Sequence, residues 1–190
     1  MMRTLLTILL IGLLSRFCPA ASSPVDVQHS TVTIRVFKSG LFSGLAHNHE
    51  IAAPLSSGTI DLTTLSVEVH FAAQNLSVLD PEASPGDRAK VQETMLSDKV
   101  LDVERFPQIT FVSRSVKSAE GNVYMVEGDL TLHGVTHPLA LTVSLTNGHY
   151  MGSVKLKQTA FGITPISLFG GSVKVKDIIE INLDILLQPK

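Results

Sequence analysis

Apolar and polar side chains alternate along most of the chain after residue 30, as they do in β-strands that bury one face. In residues 31–38, Val32, Ile34 and Val36 fall on one face. Residues 179–187 show the clearest pattern, with an aliphatic side chain at every second position. The same period predicts further strands at residues 47–53, 57–61, 66–72, 108–117, 126–132, 139–145 and 150–158.

Pairs that contain glycine separate these runs and predict tight turns. Gly121-Asn122, Asn147-Gly148 and Gly170-Gly171 follow or precede predicted strands. Asn-Gly is typical of a two-residue hairpin because both residues tolerate a positive φ. Residues 133–137 are interpreted as a connection between two strands of a hairpin rather than as a functional site.

One helix is predicted at about residues 85–97. Ser84 can cap its N-terminus, Pro85 suits the first helical position, and Asp87 follows three residues after the cap. Val91 and Met95 give the following turns an apolar face. Eight or nine antiparallel strands with one inserted helix indicate an all-β protein, either a closed barrel or a sandwich.

The strand pattern favours a barrel whose apolar faces point inward. A barrel that spans an outer membrane would turn those faces outward and carry aromatic belts at both interfaces. The chain has two Tyr and no Trp, which argues against a membrane-spanning barrel. No linker rich in Gly or Pro follows residue 26, so residues 22–190 are interpreted as one domain.

The first 21 residues have the layout of a secretory signal peptide. Arg3 supplies a positive charge, residues 5–14 form an uncharged apolar run, and residues 15–21 end in small side chains. Ten helical residues span about 15 Å, half of a bilayer core of about 30 Å, although an uncleaved anchor remains an alternative. A lipoprotein site at Cys18 is disfavoured because Arg16 and Phe17 precede it. We therefore predict a periplasmic or secreted protein that loses its one cysteine on cleavage.

Composition excludes two broad classes. Hydrophobic residues make up 44% of the chain and charged residues 17%, which is not the composition of a disordered protein. With 15 Lys and Arg against 17 Asp and Glu, the net charge is −2, so nothing indicates a nucleic-acid partner. Removal of Arg3 and Arg16 makes the chain more acidic still.

Histidines are the most prominent candidates for chemistry. His47 and His49 lie two positions apart at a predicted strand, so both could reach one zinc ion, with His29, His133 or His137 as a further ligand. The alternative interpretation is that these imidazoles are exposed or form hydrogen bonds at a barrel rim. An enzyme with a histidine as general base is a third hypothesis, but we find no nucleophile motif and no phosphate-binding loop. We therefore predict no enzymatic activity.

Arginines and phenylalanines are the other candidates for ligand contacts. Each of Arg35, Arg88, Arg105 and Arg114 is interpreted as a solvated or ion-paired residue, unless it lies near the barrel mouth and holds an acidic lipid head group. Inward-facing aromatic rings either fill a small barrel or line a ligand cavity, and the residues alone slightly favour a filled core. The rings in question are Phe42, Phe71, Phe106, Phe111, Phe161 and Phe169.

Several motifs resemble those of the YceI-like family. Residues 128–138, Gly-Asp-Leu-Thr-Leu-His-Gly-Val-Thr-His-Pro, closely resemble its G-D-L-T-L-x-G-V-T-x-P signature. Residues 101–111 are similar to its F-D-V-x-x-(Y/F)-P-x-I-x-F segment, and residues 26–30 to its opening D-x-x-H-S. With Phe161-Gly162-Ile163 and residues 173–187, the similarity covers residues 25–187.

The resemblance implies a lipocalin-like, eight-stranded antiparallel barrel with an elongated apolar cavity. It also implies a secreted or periplasmic binding protein for a polyisoprenoid or another long-chain amphiphile, and a homodimer as one oligomeric state. The expected ligand contacts are His29, Phe42, His47, His49, Phe71, Phe111, Phe161 and Phe169. No cofactor is expected beyond the lipid, and zinc at His47 and His49 belongs only to the alternative of a metal- or pH-responsive module.

Two segments depart from the family pattern. Residues 45–51 carry two histidines around an asparagine where the family commonly has H-x-G. Residues 78–95 replace a shorter polar connection into the helix. The family's head-group contacts are therefore not transferred to this chain, and a histidine-lined mouth would select a different ligand.

Overall fold

A computed structural model describes residues 22–40 and 48–189, and one antiparallel sheet dominates it. Within these residues the sheet has twelve strands, and one α-helix is inserted between the sixth and the seventh. The elements are β1 (Ser22–Pro24), β2 (Thr31–Ser39), β3 (His49–Ala52), β4 (Ser57–Asp61), β5 (Ser66–Ala72), β6 (Ser77–Val78), α1 (Pro85–Leu96), β7 (Gln108–Ala119), β8 (Val123–Leu132), β9 (Val135–Thr146), β10 (His149–Lys157), β11 (Ser167–Leu168) and β12 (Val173–Ile185).

The sheet curls into a barrel. Its eight longer strands follow the order β4-β5-β7-β8-β9-β10-β12-β2. At one edge of this order, β3 pairs with β2. At the other edge, β4 pairs with β5, although only four residues separate β3 from β4 along the chain. The predicted all-β, eight-stranded antiparallel barrel with one helix is confirmed. β1, β6 and β11 were not predicted, because two or three residues are too few to show an alternating pattern.

Tight hairpins connect the strands from β7 to β10, with three residues between β7 and β8 and two residues in each of the other two turns. Gly121-Asn122, His133-Gly134 and Asn147-Gly148 all have positive φ angles, between 52° and 85°. This backbone matches the twist of the flanking strands. His133 is the unusual residue in this conformation, and its ring is fixed by Phe106 at 4.5 Å and by the carbonyl of Phe161 at 3.1 Å from Nδ1.

The helix begins and ends close to the predicted residues. The backbone N–H of Asp87 donates to Oγ of Ser84 over 3.2 Å, as expected of an N-cap. Gln92 ties the helix to the sheet, because its Nε2 donates to the carbonyl of Leu76 and its Oε1 accepts from the N–H of Val78. Among the helices in the described residues, none has the length and apolar character needed to cross a membrane.

The two ends of the barrel are different. At the helix end, β2 finishes, β12 begins, and residues 73–107 with α1 connect β5 to β7. At the hairpin end lie the turns at residues 121–122 and 147–148 and the loop from Asp61 to Ser66. The predicted signal peptide, residues 1–21, lies outside the described residues.

Candidate ligand-binding cavity

The barrel encloses a cavity of about 1050 Å³. Its wall consists of alternate residues of the long strands, so the apolar stripes that the sequence showed face inward. The expectation of a filled core, drawn from the residues alone, is wrong, and an apolar cavity of the kind implied by the family resemblance is present. The lining includes Val32, Ile34 and Val36 of β2, Val67, Val69 and Phe71 of β5, Ile109 and Phe111 of β7, Val126, Leu130 and Leu132 of β8, Leu139, Leu141 and Val143 of β9, Leu156 of β10, and Ile179, Ile181, Leu183 and Ile185 of β12.

The predicted aromatic contacts divide into two groups. Phe71 and Phe111 line the cavity from neighbouring strands. Phe161 is 2% exposed and packs against His137, with 5.5 Å between ring centroids, outside the cavity lining. The strand alternation stops at Lys157, where β10 turns into a short 3₁₀ helix that carries Phe161 away from the wall. Phe42 lies outside the described residues, as does the side chain of Phe169.

His29 lies in an exposed turn rather than in the cavity wall. Its side chain is 71% exposed, and Nδ1 contacts Oδ2 of Asp26 at 2.8 Å. The Asp26 carboxylate also accepts from the backbone N–H groups of Gln28 and His29, and these hydrogen bonds, led by the one from the His29 ring, lower the pKa of Asp26. Ser30 then fixes this turn to the end of the barrel by accepting from the N–H of Leu186. The opening D-x-x-H-S motif, residues 26–30, therefore holds the turn before β2 against the chain that follows β12.

Among the predicted histidines that the structure describes, His49 lines the cavity. Its Nδ1 lies 2.6 Å from Oδ2 of Asp80, whose side chain is 3% exposed. The other carboxylate oxygen of Asp80 accepts from the backbone N–H of Glu50 over 2.8 Å. Asp80 thus holds the imidazole in one orientation, which is how carboxylates position functional histidines.

The zinc hypothesis stays a prediction. His47 lies outside the described residues, and among the residues that are described no three His, Cys, Asp or Glu side chains lie close enough to hold a metal ion. Within the described residues, His49 contacts one carboxylate, that of Asp80. This contact is a hydrogen bond and supplies no set of metal ligands.

Lysines supply most of the charge that lines the cavity. Lys38 and Lys174 stand where β2 ends and β12 begins, and Lys90 and Lys99 lie on α1 and just after it. The four candidate arginines lie elsewhere. Arg88 donates to the carbonyl of Leu79, and Arg35 lines a smaller neighbouring cavity. Arg105 contacts Asp102, and Arg114 contacts Asp129. None of the four belongs to the lining of the main cavity.

Tyr150 is a further polar group in the wall that was not predicted. Burial raises the pKa of its phenol, and the neighbouring Tyr124, 6.2 Å away between ring centroids, adds to the increase. Both rings line the cavity. These two phenols add polar groups to a mostly apolar wall toward the hairpin end.

The pattern of the YceI-like domain matches residues 24–187. The chain belongs to the YceI-like family. A UPF0312 protein of Yersinia enterocolitica is 38% identical over 100 residues, which cover 46% of this chain and 50% of the relative. The protein YceI of Salmonella arizonae is 42% identical over 59 residues, 31% of this chain and 30% of the relative. This chain therefore spans half or less of the length of these curated relatives.

Solved structures show the same YceI-like fold. BcnA of Burkholderia cenocepacia superposes with a TM-score of 0.66 and 20% identity, covering 85% of this chain and 98% of BcnA. A polyisoprenoid binding domain from Saccharophagus degradans superposes with a TM-score of 0.62 and 13% identity, covering 90% and 99%. At these identities the likeness extends to the fold and no further.

The structure explains why two motifs typical of YceI-like proteins occur together. A Cβ atom on Gly128 would lie 2.5 Å from Cζ of Phe111 and 2.5 Å from the carbonyl oxygen of Val112. A Cβ atom on Gly134 would overlap the ring of Phe106. The two glycines of the G-D-L-T-L-x-G-V-T-x-P signature therefore make room for the two phenylalanines of the upstream segment. Gly134 is also needed for its positive φ of 72°.

Proposed function

We propose that this protein is a non-enzymatic binding protein that holds a long-chain isoprenoid, or another amphiphilic lipid, inside its barrel. The observation that carries the proposal is the apolar cavity of about 1050 Å³. This volume lies just above the range of roughly 300–1,000 Å³ for sites that take drug-sized ligands. A long, thin ligand fits better than a compact one because the wall strands run along the whole barrel.

Hydrophobic burial supplies the affinity for such a ligand. Each Å² of apolar surface removed from water contributes about 25 cal/mol. A lipid chain enclosed by aliphatic side chains from all eight long strands gains this free energy along its whole length. Ordering a flexible chain opposes binding, so a stiff, branched isoprenoid is a better ligand than an unbranched alkyl chain of equal area.

Two further observations support the proposal. The Saccharophagus domain of the same fold is described as polyisoprenoid binding. The signal-peptide pattern of residues 1–21 supports export, so we place the protein in the periplasm or outside the cell. There it would carry or sequester lipid between membranes or from the medium.

Extraction of the native ligand tests the proposal directly. Protein purified from its own host should release a long-chain lipid into organic solvent, identified by mass spectrometry, and the emptied protein should take up a fluorescent isoprenoid. An empty extract together with no uptake of the isoprenoid would refute the proposal.

A pair of tryptophan variants locates the binding. Leu141 lines the cavity, whereas Thr142, the next residue of β9, is exposed on the outer face. Leu141→Trp should fill part of the cavity and weaken isoprenoid uptake at least about tenfold, the effect of losing about 1.4 kcal/mol. Thr142→Trp should bind as the wild type does. Equal binding by both variants would mean that the lipid sits elsewhere.

A further inference from the structure

We infer that the cavity recognises a hydroxyl group at the polar end of its lipid through the side-chain oxygen of Gln158. The inference rests on the proposed lipid binding and adds the chemical class of the head, which is an alcohol rather than an ether or a plain hydrocarbon end. Gln158 follows β10 at the helix end of the barrel, so the tail would extend along the aliphatic wall toward the hairpin end.

Gln158 is a polar residue at a buried position of the cavity wall. Leu156 of β10 faces the cavity, and the two-residue period of the strand continues onto Gln158, which also lines the cavity. Gln158 is only 8% exposed. An amide at this depth in an apolar wall is costly unless its polar atoms find hydrogen-bond partners. The partners of the two ends of the amide therefore show what the residue can do.

The fold supplies a partner for the nitrogen of this amide. Nε2 of Gln158 donates to the backbone carbonyl of Lys176 over 2.9 Å. That carbonyl lies in an irregular part of β12, because the pairing with β2 shifts register between Val175 and Ile179. A carbonyl oxygen can only accept, so the nitrogen has to face it and the orientation of the amide is fixed.

The oxygen of the same amide is left for a ligand. No donor in the described part of the chain contacts Oε1 of Gln158. Among these residues, no fully enclosed polar side-chain atom lacks a hydrogen-bond partner, so Oε1 borders open space rather than packed atoms. Because the side chain lines the cavity, we take this space to be the cavity. A lipid that ends in a hydroxyl group supplies the donor that this oxygen lacks.

The backbone around Gln158 is anchored on two sides. The N–H and Oγ1 of Thr159 donate to the two carboxylate oxygens of Asp177, over 2.9 and 2.8 Å. The N–H of Ile163 donates to the backbone carbonyl of Gln158 over 3.2 Å. An acceptor that is already fixed loses little conformational freedom when a ligand binds, so its hydrogen bond contributes to selectivity.

The lysines at the helix end do not make the same selection. Lys90, Lys99 and Lys174 line the cavity there, and an ammonium group can only donate. A donor serves the oxygen of an ether as well as that of an alcohol, whereas an acceptor such as Oε1 serves the alcohol alone. A comparison of an alcohol with its ether therefore reports on acceptors in the cavity wall.

Two ligands with the same tail test the inference. Binding of geranylgeraniol and of its methyl ether, each below its micelle concentration, would be measured by displacement of a fluorescent isoprenoid. The ratio of the alcohol's affinity to the ether's should be about tenfold higher in the wild type than in Gln158→Met, which has a side chain of similar length. The different hydration of the two free ligands cancels in this comparison, as does the lost bond to Lys176.

A control variant and a second measurement support the assignment. Thr159→Val removes the Oγ1 donor to Asp177 at an exposed position outside the cavity lining, and it should keep the wild-type ratio. In the wild type, the resonance of the Gln158 side-chain carbonyl carbon should move further with the alcohol than with the ether. This measurement applies even if Gln158→Met does not fold.

The outcomes separate the two proposals. If the wild type binds neither ligand, the proposed function itself fails. If both ligands bind and the ratio is the same in Gln158→Met, or if the carbonyl resonance moves equally with both, the hydroxyl site is refuted and the lipid cavity stands. If Thr159→Val lowers the ratio as much as Gln158→Met does, the anchoring of the 3₁₀ helix sets the preference and the assignment to Oε1 is overturned.

Discussion

The cavity-lining imidazole of His49 is held by the almost fully buried carboxylate of Asp80, with 2.6 Å between Nδ1 and Oδ2. The carboxylate has a second partner in the backbone N–H of Glu50. One residue between β6 and α1 therefore fixes both the conformation of the β3 backbone and the direction of a side chain in the cavity. This relationship can be tested by its effect on stability.

Removal of the Asp80 side chain should destabilise the fold. Asp80→Ala loses both hydrogen bonds and leaves the N–H of Glu50 without its acceptor, so we expect a loss of about 2–4 kcal/mol in the free energy of unfolding. Asp80→Asn keeps an oxygen for that N–H and should lose about half as much. The exposed pair of His70 and Glu68 is the control, and Glu68→Ala should change stability by less than about 1 kcal/mol. Urea unfolding measures all three, and a similar loss in all three variants would contradict this role of Asp80.

Gly128 should resist substitution because of Phe111. Gly128→Ala places a methyl group into the Phe111 ring and the β7 backbone, and overpacking of this kind costs about 1–3 kcal/mol. Phe111→Leu in the same chain removes the overlapping ring atoms, so the double variant should be more stable than the sum of the single changes predicts. Thermal and urea unfolding of the four proteins give the coupling energy. Simple additivity would show that the close contact with Phe111 is not the cause.

Acid should destabilise the protein through Asp61 and Asp177. Backbone hydrogen bonds, from Thr64 to Asp61 and from Thr159 to Asp177, lower the pKa of both carboxyl groups. A carboxyl whose pKa is lower in the folded state stabilises the fold above the unfolded pKa of about 3.9, and this contribution is lost as the pH falls through the folded pKa.

The variants Asp61→Asn and Asp177→Asn isolate that dependence. Each keeps an acceptor oxygen but cannot titrate, so urea midpoints measured between neutral pH and strong acid should fall less steeply than in the wild type. An unchanged slope in the double variant would mean that other carboxyl groups cause the acid sensitivity.

Tyr150 should report on the contents of the cavity. Its pKa is raised by burial, so the phenol ionises above the ordinary value of about 10. A group with a raised folded pKa stabilises the fold below the unfolded pKa, and this contribution is lost as the pH rises through the folded pKa. In the variant Tyr124→Phe, ultraviolet absorbance follows Tyr150 alone, since the chain has two tyrosines.

A bound lipid should move that titration to still higher pH, because it displaces water from around the phenol. The variant Tyr150→Phe serves as the control and should lose the ligand-dependent part of the titration. A titration that is the same with and without lipid would place the bound lipid away from Tyr150.

The sequence predicted the wall of the barrel better than its polar contacts. Strands such as β12 were predictable because alternation over many residues has one physical cause, a buried face. The Asn147-Gly148 hairpin was predictable because its positive φ angles suit those two residues. Both signals are local, and they do not depend on which strands become neighbours.

The polar contacts of the cavity wall depend on tertiary neighbours. Asp80 reaches His49 across 31 positions of sequence, and no local pattern links the two. Lys38 continues the stripe of Val32, Ile34 and Val36, but it was not considered as a candidate site residue. The arginines were considered for head-group contacts, whereas lysines line the cavity and three of the arginines pair with oxygen atoms on other residues.

The pairing of β2 with β12 also governs how the chain can fold. Ser30, just before β2, exchanges hydrogen bonds with Leu186, just after β12, across 156 positions of sequence. Contacts so distant along the chain form slowly, because a long loop must close before they contribute. During synthesis, β2 has to wait for β12 with its edge unpaired, and the barrel closes only after β12 has been made. A chain with this topology cannot complete its barrel until most of it has been translated, and an unfolded chain is what a narrow secretion channel would need to receive if the protein is exported as proposed.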